Sequence, residues 1–340
     1  MSRRMVSGPV AVPTAAVLAV ALVLAVALVL AVVLAAAGGV SASPPRHPSA
    51  AAARHGPAAA ARHGPEAAIA AVGAENQYAD VISQIGGRFV KVTAIMSNPN
   101  TDPHEFEASP SVARAVATAR LVVQNGLGYD SFMGTLESAS PSSGRKVIDV
   151  QTLLRLPDGT RNPHLWYDPS TMPKVAAAVA KDLGELEPSH RSAFERNLRR
   201  FDRSLEPWRA AIAALKKRFA GAPVATTEPV ADDLLAAAGL VDRTPFAFQA
   251  AIMNGVDPSP QSVSTEQSLL NGRVKVLVYN EQVTDTVTQS LLAIARAHHI
   301  PIVGVYETMP TPGYDYQSWM MAEVHALTAA LAHGRSAPRL

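Results

Sequence analysis

Short apolar runs that resemble β-strands alternate with helix-like segments along most of the 340-residue chain. The strand-like runs lie at 89–96, 120–126, 145–150, 223–227, 274–280 and 300–307. Segments with helical spacing lie at 74–87, 109–119, 230–239, 284–299 and 318–334. Strands that alternate with helices in this way predict parallel sheets covered by helices on both faces.

The stretch 170–219 interrupts this alternation, because it is rich in Ala, Leu, Lys, Arg and Glu and poor in strand-forming residues. It predicts a helical connector of one or two long helices, with Pro188 as the place for a break. The predicted fold is therefore α/β, with two doubly wound lobes over 73–169 and 220–340 joined by the helical connector. Ligands of such folds bind in the cleft at the carboxyl ends of the strands.

The first 43 residues predict export from the cytoplasm. Two arginines precede an apolar run over 15–37, and small residues follow up to Ala42, as is typical of a secretory signal peptide cut near Ala42. With roughly 20 residues or more, the run is also long enough to stay as a membrane anchor. Either form places the rest of the chain in the periplasm or on the outer face of the cytoplasmic membrane. Residues 44–72 predict a flexible Ala/Pro-rich tether.

Composition limits the kinds of site and partner that this sequence can have. It contains no cysteine, which excludes disulfides, thiolate metal sites and a lipid-modified cysteine within it. Its 30 basic and 28 acidic residues give a net charge of only +2, so we expect no nucleic-acid partner. Any bound metal ion must therefore be held by nitrogen and oxygen atoms.

Four side chains able to bind metal lie in loops where a doubly wound fold opens its cleft. His104 follows the first strand-like run, and His164 lies in a proline-flanked loop before the connector. Glu228 and Glu307 each follow a strand-like run of the second lobe. Two imidazoles and two carboxylates suit Zn²⁺, Mn²⁺ or Fe²⁺. Glu228 is also placed to cap the helix that follows it, so both roles are open at this stage.

Four motifs make the chain similar to the metal-receptor family of bacterial ABC importers, the zinc- and manganese-binding solute-binding proteins that include some described as adhesins. These motifs lie at 74–87, 97–111, 119–133 and 162–169. The resemblance implies two α/β lobes joined by a long rigid helix, with a metal site in the cleft between the lobes. His104, His164 and Glu228 would be three ligands, and an acidic residue after a late strand would be the fourth. Glu307 fits that fourth position, and Glu281 is the alternative.

The resemblance further implies a binding protein without catalysis, which carries Zn²⁺ or Mn²⁺ as its transported ligand to the membrane permease of an ABC importer. We expect it to act as a monomer. A closed sphere of four protein ligands leaves no position for the water of a catalytic metal. The alternative is an exported metal-dependent hydrolase, although the sequence has no HExxH motif. Two carboxylates favour Mn²⁺ whereas intrinsic affinity favours Zn²⁺, so both metals stay open.

Overall fold

A computed structural model describes residues 68–100 and 103–340, so the predicted signal or anchor and most of the predicted tether lie outside the described residues. Two parallel four-stranded sheets form the described part and confirm the predicted α/β fold. Among the described residues, no helix combines the length and the hydropathy needed to cross a bilayer.

The first lobe is built on a sheet with strand order β2-β1-β3-β4. Its strands are β1 (Ile69–Glu75), β2 (Val90–Met96), β3 (Leu121–Gln124) and β4 (Lys146–Asp149). The helices after them are α1 (Asn76–Gly86), α2 (Pro110–Thr118), α3 (Phe132–Ala139) and α4 (Val150–Leu154). All three strand pairs are parallel, so the carboxyl ends of the strands share one edge.

Strand β1 corrects two expectations from the sequence. It begins at Ile69, so residues 69–72 belong to the first lobe and not to the tether, and residues 74–75 are strand rather than helix. Its sequence IAAVGAE contains few bulky strand formers, but its neighbours β2 and β3 cover both of its edges. Strand β1 passes directly into α1, and a Cβ at Gly73 would collide with the backbone of Ala79 in that helix.

The connector is helical, as predicted, but consists of three consecutive helices rather than one or two. These are α5 (Thr171–Leu186), α6 (Arg191–Ser204) and α7 (Glu206–Phe219). The break at Pro188 is confirmed, because a short 3-10 turn Pro188–His190 separates the first two helices. A second break follows Ser204, where α7 begins with a proline in its first turn.

The second lobe repeats the design with strand order β6-β5-β7-β8. Its strands are β5 (Pro223–Thr226), β6 (Val241–Asp242), β7 (Leu277–Asn280) and β8 (Ile302–Val305). Its helices are α8 (Asp232–Ala237), α9 (Phe246–Met253), α10 (Pro260–Leu269), α11 (Thr286–Ala297) and α12 (Tyr316–His333). The strands are again parallel. The two-residue strand β6 is too short to leave a periodic signal in the sequence.

One hydrophobic core runs through both lobes. It joins buried residues of the first sheet, the connector and α12, among them Val122, Trp208 and Trp319. Helix α12 packs against α7 and β8 and also contacts α1. A second, smaller core around Phe248 and Leu291 is confined to the second lobe. Because the larger core crosses between lobes, apolar burial holds their facing edges together.

The second lobe also buries a group of carboxyl side chains, which we call the acidic cluster: Asp232, Asp242 and Glu266. Gln249 Nε2 lies 3.1 Å from both carboxyl oxygens of Asp232 and 3.0 Å from Asp242 Oδ2. Thr244 Oγ1 donates to Glu266 Oε1 at 3.2 Å. Burial and the charge of Asp242 raise the pKa of Asp232 to about 7 and that of Glu266 to about 8. These carboxyls therefore keep protons at pH values where exposed ones have lost them.

Candidate metal centre

Three side chains with metal-ligating atoms meet where the two lobes touch, and we call them the three-ligand cluster: His104, His164 and Glu307. Glu307 Oε2 lies 3.3 Å from His104 Nε2 and 3.1 Å from His164 Nε2. One ligand atom from each residue lies within 4.8 Å of the other two. Bonds of about 2.0–2.2 Å to a common ion would separate neighbouring ligand atoms by about 2.8–3.6 Å. Both measured separations fall in that range.

The two histidines reach the cluster from loops of the first lobe. His104 lies in a short 3-10 turn, Pro103–Glu105, on the loop that follows β2. His164 directly precedes another 3-10 turn, Leu165–Tyr167, and is fully buried. The rings of Tyr129 and Trp166 pack edge-on against His164, with centroids 5.7 and 5.5 Å away. These aromatic walls exclude water from one side of the cluster and strengthen its electrostatic interactions.

Glu307 follows β8 and is held by contacts from both lobes. Tyr129 of the first lobe donates its hydroxyl to Glu307 Oε2 at 2.9 Å. Asn280, at the end of β7, donates its amide to Oε1 at 2.8 Å. The Glu307 backbone N–H donates to Gln282 Oε1 at 2.7 Å, and Gln77 Nε2 donates to the Glu307 carbonyl at 3.3 Å. Both carboxylate oxygens are therefore fixed in direction.

The charges of this group suit a cation. Burial alone would raise the pKa of Glu307, but hydrogen bonding to His104 and the positive potential of His164 outweigh it and hold that pKa well below its usual range. Burial lowers the pKa of His164, and the neighbouring carboxylate offsets only part of that effect. A metal ion binds only deprotonated ligands, so both shifts favour the protonation states that a metal requires.

Glu228 lies beside the three-ligand cluster but is not one of the three residues that the structure groups. It is buried at the start of the segment between β5 and α8. Asn280 Nδ2 donates to Glu228 Oε1 at 3.0 Å and also to Glu307 Oε1 at 2.8 Å. Because one amide nitrogen contacts both carboxylates, Glu228 is held within about two hydrogen-bond lengths of Glu307.

Glu281, the alternative fourth ligand, lies elsewhere. Its Oε2 accepts a hydrogen bond from Arg339 Nε at 3.1 Å, on the side of β7 that faces the chain's last residues. Glu281 is not one of the residues that the structure groups with His104 and His164. The structure thus brings Glu307, and not Glu281, to the two histidines.

Sequence reasoning missed several residues that hold the site in place. Tyr129 and Gln77 lie inside motifs that were recognised only as family signatures. Asn76 is a third such residue, because its side chain makes two hydrogen bonds to the backbone of Met309, just beyond Glu307. Asn280 ends a strand at the cleft edge, which was the available signal for it.

Comparison with known proteins gives this chain a family. Residues 72–330 match the family described as "ZnuA: Zinc-uptake complex component A periplasmic". The chain belongs to this family. The zinc-uptake component A family consists of solute-binding proteins, so its membership confirms the predicted resemblance and the expectation that the protein is not an enzyme.

Individual relatives of this chain are distant. It is 26% identical over 137 residues to the manganese-binding lipoprotein MntA of Bacillus subtilis. The aligned region covers 38% of this chain and 44% of MntA. The chain spans about half the length of the first curated relatives that it matches, with 44% of MntA and 52% of a Treponema pallidum relative covered.

Two solved structures have a fold similar to that of this chain. A mutant of the manganese-bound periplasmic metal-binding protein of Candidatus Liberibacter asiaticus gives a TM-score of 0.62 at 18% identity, covering 77% of this chain and 98% of that one. The binding protein FpvC of Pseudomonas aeruginosa in complex with Ni²⁺ gives 0.64 at 21% identity, covering 80% and 99%. At such identities the likeness concerns the fold.

Proposed function

We propose that this protein captures a divalent transition-metal ion outside the cytoplasm and delivers it to the permease of an ABC importer. The observation that carries this proposal is the three-ligand cluster, in which two imidazole nitrogens face the same oxygen of Glu307 at 3.1 and 3.3 Å. Buried charged side chains are paired with one another or coordinate a metal ion, and here all three residues direct a metal-ligating atom to one point. Membership in a family of zinc-uptake binding proteins agrees with metal as the cargo.

We propose Glu228 as the fourth ligand. Release of its oxygen from Asn280 would let the Glu228 carboxylate turn towards an ion bound by the other three residues. His104, His164, Glu228 and Glu307 would then supply two nitrogens and two carboxylates, a donor set that takes either Zn²⁺ or Mn²⁺. Similarity to the manganese-binding lipoprotein MntA and to FpvC, whose structure is a complex with Ni²⁺, supports a transition metal as the cargo class.

We also propose that the chain is exported and acts as a monomer beside its permease. The apolar run over 15–37 and the tether after it support export. MntA, which is named a lipoprotein, and the Liberibacter protein, which is named periplasmic, are similar to this chain. Fractionation of the native host tests this proposal. Full-length protein in the cytosol would reject both the cleaved and the anchored form.

Metal titration tests the proposed function. Chelator-treated protein is titrated with Zn²⁺ and with Mn²⁺ in a calorimeter, and we expect one ion per chain. His104→Ala and His164→Ala should each weaken binding strongly, because each leaves the sphere incomplete. Glu281→Gln serves as the matched control and should bind like wild type. Wild-type affinity in either histidine variant would reject the assignment of the site.

Thermal melts separate the two roles of Glu228. A ligand role predicts little change in the metal-free Glu228→Gln protein and a large loss of the stabilisation that Zn²⁺ or Mn²⁺ adds, because ligand binding stabilises the folded state by mass action. A capping role predicts a loss on the order of 1 kcal/mol without metal. An equal shift of both proteins on adding metal would remove Glu228 from the site.

A further inference from the structure

The side chain of Asn162 contacts the imidazole of His164 at Nδ1, whereas Glu307 contacts the same ring at Nε2. Its Oδ1 accepts the backbone N–H of His164 at 3.1 Å and lies 2.8 Å from the ring atom Nδ1. A backbone N–H can only donate, so the atom that it meets must be the amide oxygen. An oxygen beside Nδ1 in turn requires Nδ1 to carry the hydrogen. Nε2, which faces Glu307 Oε2 at 3.1 Å, is then the ring nitrogen left to bind a metal ion, which would displace any proton that Nε2 shares with the carboxylate.

The other end of the same amide reaches the second lobe. Asn162 Nδ2 donates to Asp233 Oδ2 at 3.2 Å. Asp233 lies in α8, the helix that follows the segment carrying Glu228, and α8 packs against the 3-10 turn Leu165–Tyr167 directly after His164. One amide group therefore connects the imidazole of the first lobe with the helix of the second.

We propose that Asn162 is a positioning residue that fixes the Nδ1–H form of His164, and that Asp233 holds Asn162 in the orientation that does so. This inference rests on the proposed function and deepens it, because it explains how a contact between the lobes sets the tautomer of one proposed ligand, His164. The carboxylate of Asp233 accepts the amide hydrogens, which keeps the amide oxygen turned towards the ring. Separation of the lobes would release the amide and, with it, the preference of the ring for binding through Nε2.

Nuclear magnetic resonance of histidine ring nitrogens measures this directly. Chelator-treated protein labelled with ¹⁵N in histidine is studied at about pH 8.5, where an ordinary imidazole is neutral. We expect the Nδ1 atom of His164 to be protonated in wild type. In Asn162→Leu, which keeps the size and removes the acceptor, the proton should move to Nε2, where Glu307 can accept it. Unprotonated Nδ1 in wild type would overturn the proposal.

Metal affinity supplies the second readout. Outer partners of a metal-binding histidine contribute about 10–100-fold in affinity, so Asn162→Leu should weaken Zn²⁺ binding by about that factor. Asp233→Leu should weaken it less, and Asp233→Asn, which still offers an oxygen to the amide, should bind like wild type. Wild-type affinity in Asn162→Leu would overturn the inference.

The variants at Asp233 keep the proposal testable if Asn162→Leu does not fold. Equal tautomer spectra and metal affinities in Asp233→Leu and wild type would show that Asp233 does not orient Asn162. Failure of the proposed function is distinguishable from failure of this inference. A wild-type protein that binds no metal but keeps Nδ1 protonated would reject metal capture and retain the positioning role of Asn162.

Discussion

Two polar clusters in this protein each contain a glutamate that is hidden from water, and the two glutamates behave in opposite ways. In the three-ligand cluster the pKa of Glu307 is held well below its usual range, because two imidazoles face it. In the acidic cluster the pKa of Glu266 rises to about 8, because burial acts together with the charge of Asp242. Both glutamates are almost fully buried.

The difference shows that burial does not by itself decide what a buried carboxyl does. The groups that face the carboxyl decide whether it is ionised and able to bind a cation, or protonated and neutral. Among the described residues, the three-ligand cluster is the one group whose ligand atoms come close enough for a shared ion. The same substitution, glutamate to glutamine, should therefore give opposite results in the two clusters.

The largest expected effect is on metal binding by Glu307→Gln. The substitution keeps the shape of the side chain and removes the charge that both histidines face. We expect affinity for Zn²⁺ and Mn²⁺ to fall by more than about 100-fold, which is beyond the range typical of outer partners. Competition with a coloured chelator measures it. Glu266→Gln is the matched control, and a similar loss in that variant would break the comparison.

Acidification should come next in size. Metal binding displaces protons from the histidines, so we expect affinity to fall by about tenfold or more between pH 7.5 and 5.5. Because burial lowers the pKa of His164, this residue resists protonation until below the ordinary range, and most of its contribution is lost below about pH 6.5. Calorimetry at a series of pH values tests this. A pH-independent affinity would argue against imidazole ligands.

Glu266→Gln should affect stability instead of binding. Since the folded pKa of Glu266 is about 8, the folded protein binds more protons than the unfolded one, and stability falls as pH rises from about 4.5 to about 8. Removing the ionisable group should raise stability at pH 8 by about 1–2 kcal/mol, or about 2–8 °C in melting temperature, with little change at pH 4.5. Melts with chelator present measure this. An equal change at both pH values would point to packing.

Tyr129→Phe should have a smaller effect on the metal site. It removes the hydroxyl that donates to Glu307 Oε2 at 2.9 Å and keeps the ring that packs against His164. One hydrogen bond contributes about 0.5–1.5 kcal/mol, so we expect affinity to fall by about 2–12-fold. A loss as large as that of Glu307→Gln would mean that the tyrosine is itself a ligand.

The smallest effect is expected for Glu281→Gln. Glu281 is 13% exposed and its partner Arg339 is 81% exposed. Solvent screens the pair from the arginine side, so we expect it to contribute about 1 kcal/mol or less. We expect metal affinity within about twofold of wild type and a melting temperature nearly unchanged. A marked loss of affinity would restore Glu281 as a candidate ligand and undo the distinction between the two glutamates near the ends of β7 and β8.

Local sequence signals predicted the parts of the site that belong to loops at strand ends. His104, His164 and Glu307 were all predicted from their positions, and the structure brings them together. Strand β1 was missed because its small residues carry little strand propensity, and its burial depends on neighbours that are distant in sequence.

The place of Glu228 after a strand was predicted from local sequence. Its hydrogen bond to the amide of Asn280, 52 residues later in the chain, has no local pattern that could indicate it. The second break in the connector had a signal in the proline of the first turn of α7, which the sequence analysis did not use.

The three residues of the cluster differ in how far solvent reaches them. The side chain of His104 is 25% exposed, whereas those of His164 and Glu307 are 0% exposed. An incoming donor atom from a permease could therefore approach a bound ion only from the His104 side. We expect handover to begin there, with the bond to His104 replaced first and the two buried bonds broken afterwards. Such stepwise ligand exchange would let the protein pass on its cargo without the ion ever entering bulk water.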